Sequence, residues 1–217
     1  DRAETEVELA YAVNSEAVGV MAQACAAHGI TMIHYSTDYV FDGQKTMPYI
    51  ETDTPSPINV YGRTKLAGER LLQESGAQHL IFRVSWIIGR YGNNFAKTIL
   101  RLARERSELK IINDQRGVPT TTELITRVTI NAINAIDQNG PWDSGIYHLA
   151  PRGQTTWFGI TRQLLESANI EYLGLMAGPQ DIKPITTAQF PTNAKRPQNS
   201  LLDTSKIQRV LGFQLPD

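Results

Sequence analysis

The sequence predicts an α/β fold in which a parallel sheet carries helices on both faces. Two observations support this. Short β-rich runs alternate with amphipathic stretches of helical period along most of the 217 residues, the pattern of successive βαβ units. In addition, "HLIFRVSWIIG", residues 79–89, is an almost uninterrupted apolar run, as expected of a strand buried on both faces. Ligands of such sheets bind beyond the carboxyl ends of the strands. That rule directs attention to Ser36-Thr37-Asp38, Ser85-Trp86 and Leu149-Ala150-Pro151.

The elements follow in order. "VNSEAVGVMAQACAAHG" predicts a helix with Asn14 or Ser15 as cap, Glu16 in the first turn and Gly29 as stop. Its apolar positions Ala17, Val20, Met21, Ala24 and Cys25 keep the 3.6 period. "ITMIHYS" predicts a strand, Val60–Glu74 a helix, and "HLIFRVSWIIG" the next strand. "NNFAKTILRLARER" predicts an amphipathic helix and "LKIIN" a short strand. "TTTELITRVTINAINAI" predicts another helix, "GIYHLA" a strand and "TTWFGITRQLLESA" a helix. Gly174 to Thr192, rich in Pro, Gly and Thr, is expected to be irregular, and "DTSKIQRVLGF" to form a closing helix.

Composition narrows the function classes. A net charge of −1 offers nothing to attract nucleic acid or an anionic membrane. No apolar run approaches the ~20 residues that span a bilayer, and "DRAETEVELAY" has neither the basic nor the apolar region of a signal peptide. Cys25 is the single cysteine, so no internal disulfide framework exists, which fits a reducing, cytoplasmic setting. Within its helix Cys25 is expected as a small core residue.

The chemistry concentrates in "NVYGRTKLAGERLL". Tyr61 and Lys65 lie four residues apart and so share a helix face. An ammonium beside a phenol favours the phenolate, and such a tyrosine can donate a proton to a ketone under reduction. Upstream, the strand "MIHYST" delivers the Thr37 hydroxyl to the sheet edge, where it can bond the same oxygen.

A strand-end Ser/Thr followed by YxxxK on the next helix resembles the extended, sugar-nucleotide-modifying short-chain dehydrogenases/reductases. "YSTDYVFDG", "YGRTKLAGE", "RVSWIIGRYGNNF", "INDQRGVPTTTEL", "GIYHLA" and "RPQNSLLD" together resemble the dTDP-4-dehydrorhamnose reductase family, from one end of the chain to the other. The resemblance implies a Rossmann-like domain with a smaller C-terminal substrate-binding domain, and hydride transfer from NADPH or NADH to C4 of a dTDP-dehydro-sugar in dTDP-rhamnose biosynthesis. Residues 1–88 would form the C-terminal part of the NAD(P)-binding domain. Residues 89–217 would contribute the substrate domain, with a returning Rossmann strand–helix near 110–150. Carried over by position, Thr37, Tyr61 and Lys65 match the catalytic trio, with Tyr61 as proton donor. Lys65 would bind the nicotinamide ribose and lower the tyrosine pKa, and Ser36 and Tyr61 would also touch the cofactor. Asp38, Val40, Trp86 and Arg196 match substrate-binding positions beside Thr37.

Other readings are distinguishable. Sugar-nucleotide 4,6-dehydratases carry Asp-Glu after the threonine, and here Tyr39 occupies the second position, so the elimination acid is missing. Epimerases end this strand in a Ser/Ala-rich Val-Tyr-Gly pattern that "STDYVFDG" does not match. A non-catalytic regulatory subunit of the methionine adenosyltransferase type would not need the trio. Some family members also hold a divalent cation such as Mg2+ at a homodimer interface through glutamates. One of these matches Glu123, although "TTTE" favours its place in a capping box starting at Thr120.

One element is missing from the pattern. A phosphate-cradling glycine loop normally follows a first strand. The close pair Gly89 and Gly92 in "GRYGNN" instead follows a later strand and reads as a loop near the substrate. The expectation is therefore an N-terminally incomplete chain that is inactive as a reductase by itself.

Overall fold

A computed structural model describes residues 2–137, 143–212 and 214–216. Phe213, expected at the end of the closing helix, lies outside them. The elements are α1 (Val7–Tyr11), α2 (Ala17–His28), β1 (Met32–Thr37), α3 (Val60–Glu74), β2 (His79–Val84), β3 (Ile87–Ile88), α4 (Phe95–Glu105), β4 (Leu109–Ile112), β5 (Arg116–Gly117) and β6 (Thr120–Thr121). After these come α5 (Thr122–Asp137), β7 (Gly145–Leu149), β8 (Thr155–Thr156), α6 (Trp157–Ser167), α7 (Ile170–Leu173), β9 (Ile182–Ile185) and α8 (Ser205–Leu211).

The main sheet has the order β1-β2-β7 and is parallel throughout. Thr37 stands opposite Val84, and Val84 opposite Leu149, so the three strands end at one edge. β2 is buried along its whole length, as its apolar run requires. Its residues alternate between faces. Ile81 packs with Val18, Ala22 and Leu72 of α2 and α3, whereas Leu80, Phe82 and Val84 pack with Leu124 and Val128 of α5 and Ile207 of α8. Helices therefore cover both faces, and each fully buried aliphatic there contributes about 1.5–3 kcal/mol.

A polar pair interrupts the first face. Arg83 of β2 donates from its Nε (3.0 Å) and its second guanidinium nitrogen (2.6 Å) to the two carboxylate oxygens of Glu69 on α3, with both side chains buried. A second hydrophobic cluster lies outside this sheet, where Ile99 and Ala103 of α4, Leu165 of α6, Leu109 and Ile111 of β4 and Ile182 of β9 pack together.

Several expectations need correction. The expected long strand 79–89 breaks after Val84: Trp86 adopts φ 45°, and Ile87–Ile88 turn away to pair with β6. The segment Gly174 to Thr192 contains β9, which pairs in parallel with β4. Near 110–150, therefore, it is α5 and β7 that return to the main sheet, not β4. The first helical stretch begins at Val7 and runs through a π-turn, Ala12–Glu16, into α2. Neither Asn14 nor Ser15 caps it: Ser15 is buried, and the Asn14 amide donates to Thr64 Oγ1. The packed face of α2 is Val18, Gly19 and Ala22, while Val20 and Met21 are exposed. Cys25 is half-buried against the same cluster.

Candidate active site

β1 brings Ser36 and Thr37 to the sheet edge, and the chain then tightens into a 3-10 turn over Asp38–Val40. Thr37 causes that turn, since its Oγ1 accepts from the Tyr39 N–H (3.1 Å) and donates to Asp38 Oδ1 (3.2 Å). Asp38 is buried and its Oδ2 has no hydrogen-bond partner among the described residues. Burial raises its pKa to about 7, against hydrogen bonds from Ser200 and Thr37. Ser36 is also buried, and its hydroxyl likewise lacks a partner among the described residues.

α3 faces this turn. Asn59 caps the helix by accepting from Gly62 N–H (2.7 Å), and its amide donates to the Lys195 carbonyl (2.8 Å). Tyr61, in the first turn, meets the ring of Tyr39 edge-on at 5.9 Å and 77°. Burial, followed by the charge of Asp38, raises the Tyr61 pKa, and the Thr37 hydroxyl opposes the rise by hydrogen bonding. The phenol is therefore protonated at neutral pH. Tyr39 is pushed up to about 12, chiefly by burial and then by Asp38, with Arg196 opposing.

Lys65 is tied to β1. Its Nζ donates to the Tyr35 carbonyl (2.7 Å) and lies 3.3 Å from His34 Nε2. Burial lowers the pKa of Lys65 itself, with Glu69 pulling the other way.

On the opposite side, Trp86 stacks on Trp157 with ring centroids 3.7 Å apart at 17°. Trp157 is fixed by Phe95 at 4.4 Å and by its indole N–H donating to Gln115 (3.0 Å). A Cβ on Gly117 would lie 2.5 Å from the Trp86 ring, so the indole lies flat only because that position has no side chain. Together these groups enclose a cavity of about 480 Å³ whose wall includes Ser36, Thr37, Asp38, Tyr61, Trp86 and Arg196. A more open cleft of about 660 Å³, lined by Tyr91, Glu123, Arg127 and Ile130, has no comparable acid beside an orphaned polar group. The smaller cavity is the candidate site.

Of the residues expected from sequence, Ser36, Thr37, Asp38, Tyr61, Trp86 and Arg196 meet here. Lys65 sits behind the wall. Val40 is displaced from it, since its side chain is fully buried with Phe41, Tyr49, Leu66 and Leu202. The strand end at Ala150-Pro151 also contributes nothing to the cavity. Sequence reasoning missed Asn59, Phe95, Trp157 and Ala194. Only Asn59 carried a local signal, as a cap residue before a helix. Glu123 is not in the expected capping box. Thr121 makes the cap, accepting from Leu124 N–H (3.1 Å), and Glu123 lies one position earlier. Among the described residues no group of three His, Cys, Asp or Glu side chains is placed to hold a metal. The residues present therefore do not fit a metal ion on their own. They do fit a nicotinamide cofactor: the unpartnered Ser36 hydroxyl and the anchored Lys65 ammonium both lie at the carboxyl end of β1.

Comparisons with known proteins bear on family and fold. The family model described as the RmlD substrate binding domain matches residues 1–217. The dTDP-4-dehydrorhamnose reductase of Escherichia coli (strain K12) is 48% identical over 217 residues, covering 100% of this chain and 72% of that protein. The enzyme of the same name from Burkholderia thailandensis is 42% identical over 220 residues and is covered to 74%. Among solved structures, dTDP-4-dehydrorhamnose reductase from Bacillus anthracis in complex with NADP superposes with TM-score 0.86 at 34% identity, over 100% of this chain and 72% of that one. A dTDP-glucose 4,6-dehydratase from Streptomyces venezuelae with NAD and TYD bound shares the fold, with TM-score 0.78 at 17% identity.

Proposed function

The chain belongs to the RmlD substrate-binding-domain family, and from that membership and the acid-bearing cavity we propose that it reduces the C4 ketone of dTDP-4-dehydro-L-rhamnose to dTDP-L-rhamnose. The observation that carries the reading is a protonated Tyr61 beside the Thr37 hydroxyl on the wall of one cavity. NADPH or NADH, when bound, supplies the hydride. Lys65, Ser36 and Tyr61 are the residues that would hold it. The chain's own residues do the rest. Thr37 holds the ketone oxygen, and Tyr61 gives its phenolic proton to that oxygen as it becomes an alkoxide, so that C=O becomes CH–OH. Trp86 and Arg196 grip the nucleotide-sugar, and the buried Asp38 carboxyl offers it a hydrogen bond. Residues 89–217 supply the substrate-binding side of the cavity through Trp86's partner Trp157 and through Arg196. A homodimer sharing a divalent ion such as Mg2+ would take Glu123 as one ligand and need the others from elsewhere.

The test is Tyr61→Phe. In the intact polypeptide, NADPH consumption with the keto-sugar should fall by on the order of 10²–10⁴-fold, the usual contribution of a positioned proton donor. Calorimetric binding of dTDP-L-rhamnose to residues 1–217 should persist. Undiminished turnover in the variant would remove Tyr61 as the acid, whereas dTDP-L-rhamnose binding with no turnover in the parent protein would favour a non-catalytic, regulatory role.

A further inference from the structure

His34 is an ionisable side chain near the trio that the proposed chemistry leaves unused. It sits on β1 three positions before Thr37 and its Nε2 is 3.3 Å from Lys65 Nζ. An ammonium has three donors and no acceptor. In this contact Nε2 must therefore be the bare, accepting nitrogen, and the imidazole hydrogen resides on Nδ1. We infer that His34 is a positioning residue for Lys65: together with the Tyr35 carbonyl it ties two of the three ammonium hydrogens to β1. The inference rests on the reading of Lys65 as the cofactor-side lysine.

The consequence is geometric. Thr37 and the two tethers of Lys65 belong to one strand, so β1 sets the spacing between the hydroxyl that holds the ketone and the ammonium behind it. The third ammonium hydrogen stays available for a cofactor hydroxyl. The surroundings keep the imidazole neutral. Burial and then the Lys65 charge lower the His34 pKa to about 4. The acid nearest Lys65, Glu69 on the same helix, acts on the lysine and is occupied by Arg83 of β2. Tyr61, the remaining titratable group on this helix face, stays protonated.

The test uses nuclear magnetic resonance of isotope-labelled residues 1–217, then kinetics of the intact polypeptide. At pH 7 the His34 Nε2 should resonate as a bare acceptor and Nδ1 as protonated, and His34 should titrate at higher pH once Lys65→Met removes the ammonium. A protonated Nε2, or a titration indifferent to Lys65→Met, overturns the inference whatever Lys65 does for the cofactor. In kinetics, His34→Leu should raise the KM for NADPH about tenfold, as expected for losing a hydrogen bond to a charged group. His34→Gln, which keeps an accepting oxygen, should restore most of it. An unchanged KM in His34→Leu, with the Lys65 Cε resonance unmoved, also overturns it. The expected resonances combined with a normal KM in Lys65→Met would instead overturn the cofactor role of Lys65.

Discussion

Gly62, immediately after Tyr61, tests how tightly the candidate site is built. A Cβ at this position would lie 2.1 Å from the Tyr39 carbonyl oxygen, 2.9 Å from its carbon and 3.0 Å from Pro57 Cβ. Carbon and oxygen approach to roughly 3.3 Å at best, so Gly62→Ala must push α3 and the Asp38–Val40 turn apart by about 1 Å. Overpacking of this kind costs about 1–3 kcal/mol, and the better helix propensity of alanine returns up to ~1. The net loss of about 1–2 kcal/mol corresponds to a Tm lower by about 2–8 °C for a chain of this size. Because the displaced turn carries Thr37 and Asp38, a 1 Å shift should also cost turnover on the order of 10²-fold. Gly68 supplies the control: its Cβ would meet the Asn14 carbonyl oxygen, also at 2.1 Å, about two turns further along α3 and outside the cavity lining. Gly68→Ala should lower the Tm similarly, measured by calorimetry, yet leave dTDP-L-rhamnose affinity and turnover unchanged. If Gly62→Ala matches the parent in Tm and rate, or Gly68→Ala loses as much rate, the close approach does not set the site.

Two further outcomes follow from buried charge. Glu69→Gln leaves the Arg83 guanidinium buried without its counter-charge, which should cost about 3–5 kcal/mol in chemical denaturation. The pair Arg83→Met with Glu69→Leu should recover most of that loss, and a double variant as unstable as the single one would contradict this. His148 is depressed to about 3 by burial and then by Arg83. A lowered folded-state pKa means that its stability contribution is present above the unfolded value of ~6.5 and is lost as pH falls towards 3. His148→Gln should therefore flatten the fall of Tm between pH 6.5 and 4, and an unchanged slope would assign the acid sensitivity elsewhere.

Much of this molecule was legible in its residue order because the signals were local. Strand–helix alternation revealed the parallel sheet, and the uninterrupted apolar run marked β2 as its centre. A hydroxyl at a strand end and a Tyr/Lys pair on the next helix pointed to the cavity that Thr37 and Tyr61 line. What stayed hidden depends on contacts between distant segments. Nothing near Trp86 announces that the strand breaks there, since the break is stabilised by Trp157 and by the bare Gly117. β9 is invisible inside a Pro-, Gly- and Thr-rich stretch because its partner is β4. The face of α2 was misjudged because the 3.6 period fits two adjacent stripes, and packing against α3 chose the one containing Gly19, where Leu71 approaches closely. The direction of Lys65 was likewise set by β1 and not by its own helix.

The Asn59 side chain, which both caps α3 and donates to the Lys195 carbonyl, bears on how this scaffold tolerates sequence drift. The bond is to main chain, so any residue can occupy position 195 without loosening it, and the Lys195 side chain itself is exposed. The outer rim next to Arg196 can thus change in sequence while the Asn59 bond keeps its distance from α3. Asn59, by contrast, holds both ends of that span with a single amide, and few side chains could replace it there.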